Sequence, residues 1–172
     1  MKNIDREKLT QLLEIIHPAP ALRLAHFSDS GEEMISLLHH FSQEEGYEYQ
    51  INLTQEDFFH KIAPLYKASS TTTPLHFQLT RPRYMVQGKV YDYLFVTCEI
   101  SEALQESFIQ KVHTIIKNAG LILIFIPKEE KQQRQKWLEY LEKYHFVASN
   151  TIDNLCPSYD ILISKKMHGW GG

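Results

Sequence analysis

The chain has 172 residues, 43% of them hydrophobic and 23% charged, which suits one globular domain large enough to fold without disulfides or metals. A net charge of −3 gives no global electrostatic reason to bind nucleic acid or an anionic membrane. No apolar run approaches the roughly 20 residues of a membrane helix, and Cys98 and Cys156 lack metal or redox spacing, so a cytoplasmic protein with reduced thiols is expected.

Residues 5–17 read as an amphipathic leading helix, with Leu9, Leu12, Leu13 and Ile16 at helical spacing. Pro18 and Pro20 end it, because proline cannot continue a helix and restricts the residue before it. Residues 21–27 make a first strand. Ser30 and Glu33 then have capping-box spacing, ahead of a helix that turns Met34, Leu37, Leu38 and Phe41 inward and stops near Gly46. Residues 47–53 alternate in polarity, which predicts a second strand towards the sheet edge. Thr54 and Asp57 open a short helix carrying Phe58, Phe59 and Ile62, expected to break near Pro64. After a polar loop, residues 75–79 predict a third strand, and Arg81, Arg83, Tyr84 and Lys89 lie in a basic surface connection.

Residues 91–97 are dense in aromatic and β-branched side chains, as in a strand buried on both faces. Ser101 is placed to cap the next helix, which carries Leu104, Phe108, Val112, Ile115 and Ile116 on one face, Lys117 in its last turn and Gly120 as its stop. Residues 121–126 are an unbroken apolar run closed by Pro127. Strand, crossover helix and second buried strand predict a right-handed βαβ unit in a parallel sheet. Ligands of such sheets bind outside the carboxyl ends of the strands, here Thr97, Cys98 and Glu99 on one strand and Pro127-Lys128 on the other. A charged helix over 128–144 buries Trp137, Leu138 and Leu141. Residues 146–152 and 159–164 are two further strands, and the link between them is too short for a helix, so they pair as an antiparallel hairpin. One α/β domain is expected over 1–164. A tail over 165–172 follows, in which Trp170 docks on the domain or a partner, or the tail stays disordered.

Candidate chemistry sits at the strand ends. Glu99 is a candidate general base or substrate contact, set against the commoner exposed loop carboxylate. Cys98 is a candidate nucleophile, set against a small buried thiol, since no histidine stands at a recognisable spacing. His39 and His40 are adjacent on a helix, about 100° apart, and cannot share a metal; no metal site is expected. His26, inside the first strand, is expected to be a satisfied core or rim residue. Arg81, Arg83 and Lys89 around Tyr84 would suit nucleic acid, but the overall negative charge favours a solvated loop.

This order of elements, with a leading helix and a terminal hairpin, resembles the Rossmann-like fold of the class I S-adenosylmethionine-dependent methyltransferases. The segments YDYLFV from Tyr91 and GLILIFIP from Gly120 look like that family's fourth and fifth strands. The resemblance implies a three-layer α/β sandwich with a mostly parallel sheet ending in an antiparallel hairpin. It implies S-adenosylmethionine as cofactor, held by the loop after the first strand (Phe27, Asp29, Ser30 and Gly31) and by Asn52 at the end of the second. The acceptor would lie near Thr97, Cys98 and Glu99, and catalysis would be chiefly by alignment.

The family's cofactor loop usually carries an acidic residue and then three glycines at alternate positions, which let the backbone approach the methionine part of the cofactor. With Gly31 as the third glycine, Asp29, Phe27 and Ala25 fall at the other three positions. A phenylalanine ring collides where hydrogen is required, and Asp29 repels the cofactor's carboxylate. Asn52 stands where an acidic residue would bind the ribose, and Thr97-Cys98-Glu99-Ile100 lacks the Asp/Asn-Pro-Pro-aromatic motif of amino-methylating members. The expectation is a methyltransferase-like domain that has lost standard cofactor binding and serves as an interaction or scaffold module for a protein or small-molecule partner. The alternative is an active methyltransferase with a divergent cofactor loop and an unidentified acceptor.

Overall fold

The computed structural model describes residues 5–167, so the expectation for Trp170 lies outside the described residues. Asp5 caps α1 (Arg6–Leu12), its carboxylate accepting from the Glu7 N–H at 3.0 Å, and a 3-10 turn (Leu13–Ile15) leads towards Pro18. There follow β1 (Arg23–Ser28), α2 (Glu32–Glu45), β2 (Glu48–Leu53), α3 (Glu56–Tyr66) and β3 (Thr72–His76). The second half contains β4 (Tyr91–Val96), α4 (Glu102–His113), β5 (Ile116–Pro127), α5 (Lys131–Lys143), β6 (Phe146–Cys156) and β7 (Tyr159–Lys166). The described strands form one sheet of order β3-β2-β1-β4-β5-β7-β6, in which β7 runs opposite in direction to the other strands. This is the expected mostly parallel sheet ending in an antiparallel hairpin.

Side chains alternate along each strand between two cores. Leu24, Tyr49, Ile51, Phe95 and Leu123 face α1, α2 and α3 through Leu9, Leu12, Met34, Leu38 and Ile62. Ala25, Phe27, Leu94, Val96 and Ile124 face α4 and α5 through Phe108, Ile109, Val112, Trp137 and Leu141. The sheet order departs in both directions from β1, towards β2 and β3 on one side and β4 and β5 on the other. The switch point therefore lies between β1 and β4, where open α/β sheets hold ligands.

Several element boundaries differ from the sequence expectations for local reasons. β2 lies next to the edge strand β3, as expected, yet is paired on both sides. Every residue from Tyr49 to Leu53 is buried, and the alternation reports apolar residues facing one core and the amides Gln50 and Asn52 facing the other. β3 spans 72–76 rather than 75–79; it is one of the sheet's two edge strands, so Pro74 is tolerated within it. α3 continues through Pro64 to Tyr66; the proline removes one backbone donor, and the helix ends two residues after it. α4 ends at His113 instead of Lys117, and β5 starts at Ile116 through an irregularity opposite Tyr91 and Tyr93 in which Ala119 takes φ 66°. Gly120 belongs to that bulge: a Cβ there would stand 2.7 Å from Ile116 Cγ2 and 3.0 Å from Asp92 O. α5 begins at Lys131 rather than 128. β7 continues through Lys166, whose Nζ donates to His113 O at 2.7 Å and Ile116 O at 3.0 Å, capping the carboxyl end of α4. Lys165 and Lys166 are thus strand residues.

Candidate functional site

The switch point is tied together by one histidine. His26 of β1 places Nδ1 2.7 Å from Tyr49 Oη on β2 and Nε2 2.7 Å from Thr97 Oγ1 beyond β4. Thr97 Oγ1 also donates to Phe27 O at 3.3 Å. It therefore accepts from Nε2–H, which leaves Nδ1 to accept from the Tyr49 hydroxyl. The ring is fully buried, and desolvation holds its pKa down at about 3, so it is neutral. His26 is a satisfied core residue.

Phe27 O accepts from the backbone N–H groups of Thr97 at 2.9 Å and Cys98 at 3.1 Å, closing the end of β1 against β4. Its ring turns towards α4 and is fully buried, with centroids 5.1 Å from Phe77, 5.2 Å from Phe108 and 5.8 Å from Tyr84. Phe77 follows β3 directly, and its N–H donates to Leu53 O at 2.8 Å, which sets this aromatic group across the carboxyl ends of β1 and β2. Tyr84 is fixed by its hydroxyl, which donates to Leu79 O at 2.7 Å. The basic connection is partly consumed in the same packing: the Arg81 guanidinium lies 4.9 Å from the Phe77 centroid, and Lys89 pairs with Glu48 at 3.2 Å.

Asn52 is buried in a polar chain of its own. Its Oδ1 accepts from Gln50 Nε2 at 2.9 Å, and Gln50 Oε1 accepts from the Tyr91 hydroxyl at 2.7 Å. Gly31, not Ser30, is the N-cap of α2, and its φ of 88° is one that glycine supplies without strain. Ser30 Oγ instead donates to Asp29 Oδ1 at 3.1 Å, while Asp29 Oδ2 accepts from the Glu99 N–H at 2.8 Å. Asp29 is thereby a clasp between the loops that follow β1 and β4. Thr54, expected to cap α3, turns back to Ser28 O, and Gln55 holds the N-cap position.

A cleft of about 680 Å³ opens at the carboxyl ends of β1, β4 and β5. Asp29, Ser30, Thr97, Cys98 and Glu99 all line it, whereas Phe27, Gly31 and Asn52 do not. Its floor is apolar, formed in part by Ile100, Ile124 and Phe125. Sequence reasoning missed the far wall, where Glu129 and Glu130 stand just before α5, Gln133 and Trp137 lie on it, and Tyr159 opens β7. The legible signal was Gln133 and Trp137, four apart on a helix that begins at a strand's carboxyl end. The Cys98 thiol is buried and pushed up, first by desolvation and then by the Asp29 charge, so it stays protonated and is a poor nucleophile. Among the described residues, no three His, Cys, Asp or Glu side chains gather as a metal site, and no helix is long and apolar enough to cross a membrane.

No family model and no curated protein sequence matches this chain. Solved structures do. An S-adenosylmethionine-dependent O-methyltransferase from Thermotoga maritima superposes with a TM-score of 0.74 at 12% identity, covering 99% of this chain and 68% of its own. A TehB-like S-adenosylmethionine-dependent methyltransferase from Corynebacterium glutamicum gives 0.71 at 11% identity, over 92% of this chain and 87% of its own. The CurJ carbon methyltransferase gives 0.67 at 11% identity over 92% of this chain, which spans only 52% of that protein. At such identities the likeness is one of fold, and the fold is the Rossmann-like α/β sandwich of these methyltransferases.

Proposed function

We propose that this chain is a methyltransferase-fold domain that has given up standard S-adenosylmethionine binding and works as an interaction module through the cleft beside β4 and β5. The carrying observation is Phe27. Its ring is packed with Phe77, Tyr84 and Phe108 at the end of β1, at the loop to which the family resemblance gives the methionine part of the cofactor. A cofactor that needed the space of this ring would have to displace a fully buried aromatic group, at a cost of several kcal/mol. Asn52, the expected ribose contact, is held by Gln50 away from the cleft. The partner is a protein segment or small molecule entering between β4 and α5, in the cytoplasm, where Cys98 and Cys156 stay as free thiols.

A second reading, an active S-adenosylmethionine-dependent methyltransferase with a divergent loop, is favoured by one feature. The cleft reaches Asp29 and Ser30 at the end of β1, within the loop that would hold the methionine part of the cofactor. Calorimetric titration with S-adenosylmethionine and S-adenosylhomocysteine separates the two. Silence at millimolar ligand with a folded protein is expected; saturation at micromolar ligand overturns the first reading in favour of the second.

A further inference from the structure

We propose that the cleft holds an extended segment of a protein partner, gripped through its backbone by Gln133 and Trp137 of α5. The assignment rests on the reading above, in which the cleft is an interaction site and not a cofactor site. At about 680 Å³ the cavity falls within the size range of small-molecule sites, room for a short stretch of chain but not for a folded domain. Its apolar floor, Ile100, Ile124 and Phe125, suits one apolar side chain of such a segment.

The carrying observation is an orphan donor in the wall. Trp137 is 3% exposed, its ring set edge-on to Phe108 with centroids 6.2 Å apart. A buried indole N–H normally has an acceptor. Trp137 Nε1 donates to none among the described residues. Nor is it sealed off: among the described residues, the partnerless side-chain atoms closed to solvent are Ser42 Oγ and Gln105 Oε1. Nε1 therefore meets open space, and the open space that Trp137 borders is the cleft. One turn earlier on the same helix, Gln133 lines the cleft too, and its side-chain amide has no partner among the described residues. An ammonium brings only donors and a carboxylate only acceptors; a peptide backbone brings one of each per residue and answers both side chains. The spacing agrees. Four residues of helix rise about 6 Å, and backbone groups on one edge of an extended chain recur about every 6.6 Å.

In full-length Trp170→Phe, Trp137 is the one tryptophan left, so its indole N–H gives a single resonance. The experiment titrates this variant, isotope-labelled, with the capped tripeptide acetyl-Ala-Phe-Ala-N-methylamide. The expected result is saturation at about millimolar peptide or tighter, with the indole proton moving downfield and its exchange with water slowed. Phenethylammonium, which keeps the ring and has no acceptor, should leave that proton where it is. Shortening the probe to acetyl-Phe-N-methylamide, too short to span both contacts, should weaken binding about five- to tenfold, and so should Gln133→Leu. No saturation by the tripeptide, or saturation that leaves the indole proton unmoved, overturns the proposal. Equal affinity for the long and short probes overturns the chain segment in favour of a small amide, and unchanged affinity in Gln133→Leu overturns the grip by α5. None of these outcomes bears on Phe27, because no probe resembles the cofactor. Saturation by S-adenosylmethionine in the separate titration overturns the functional reading instead.

Discussion

Acid should destabilise this protein through His26 in a way that one substitution removes. The imidazole is fully buried and neutral, with a pKa of about 3 against an ordinary 6.5. Between those values the unfolded chain binds a proton that the folded chain refuses, so stability is complete above pH 6.5 and falls as the pH drops towards 3. At about pH 5, some 1.5 units below the unfolded value, the loss from this one group is roughly 1.5 × 1.36, or about 2 kcal/mol. That figure is set by the unfolded chain alone, provided the folded value lies well below 5. In His26→Gln the side chain cannot titrate. The variant should lose about 1–3 kcal/mol at about pH 8, because the links to Tyr49 and Thr97 are cut. It should also lose about 2 kcal/mol less than the parent between about pH 8 and 5. His39 and His113, whose pKa values are also lowered chiefly by burial, are common to both proteins and cancel in the comparison. Urea unfolding of both proteins at the two pH values measures the difference. An equal acid loss in parent and variant would refute the buried neutral ring.

Phe27→Ala removes a ring with three aromatic neighbours and should cost about 3–5 kcal/mol in urea unfolding, whereas a loss below about 1 kcal/mol would mean the ring is not packed as described. Gly120→Ala drives a methyl group into Ile116 and the carbonyls of Lys117 and Asp92, so a loss of about 1–3 kcal/mol is expected; an unchanged melting midpoint would contradict the bulge geometry. In a Cys156→Ser background, Cys98 should resist thiol reagents at about pH 8 until the protein unfolds. Rapid labelling of the native protein would reveal a thiolate that burial and Asp29 are here taken to suppress.

The parts of the fold legible in the sequence were those whose signals are local. The run from Tyr91 to Pro127 announced strand, helix and strand because each piece carries its own periodicity, and the link between β6 and β7 was too short for anything but a hairpin. The α4–β5 border was misread because Lys117 and Gly120 are ordinary helix-stop residues. Gly120 is required there by the approach of Asp92 O, and no neighbour in sequence discloses that. Ser30 and Glu33 had capping-box spacing, yet Asp29 draws the Ser30 hydroxyl away to serve a clasp onto Glu99. The near wall of the cleft was named in advance, since the carboxyl ends of β1 and β4 define it. Its far wall was not, because Trp137 and Tyr159 come to share a cleft with Asp29 only through the sheet order.

The place of β7 in the sheet has a consequence for how the protein is made. Of the seven strands among the described residues it leaves the ribosome last, yet it is inserted between β5 and β6. Until it arrives, β6 has no partner, and the apolar edge of β5 from Leu121 to Ile126 stays open. At ordinary translation rates that exposure lasts on the order of a few seconds, during which an unpaired apolar strand is a template for association with other chains. Closure comes with the final residues of β7, when Lys166 takes up the free carbonyls of His113 and Ile116 and fastens the strand made last to a helix made well before it.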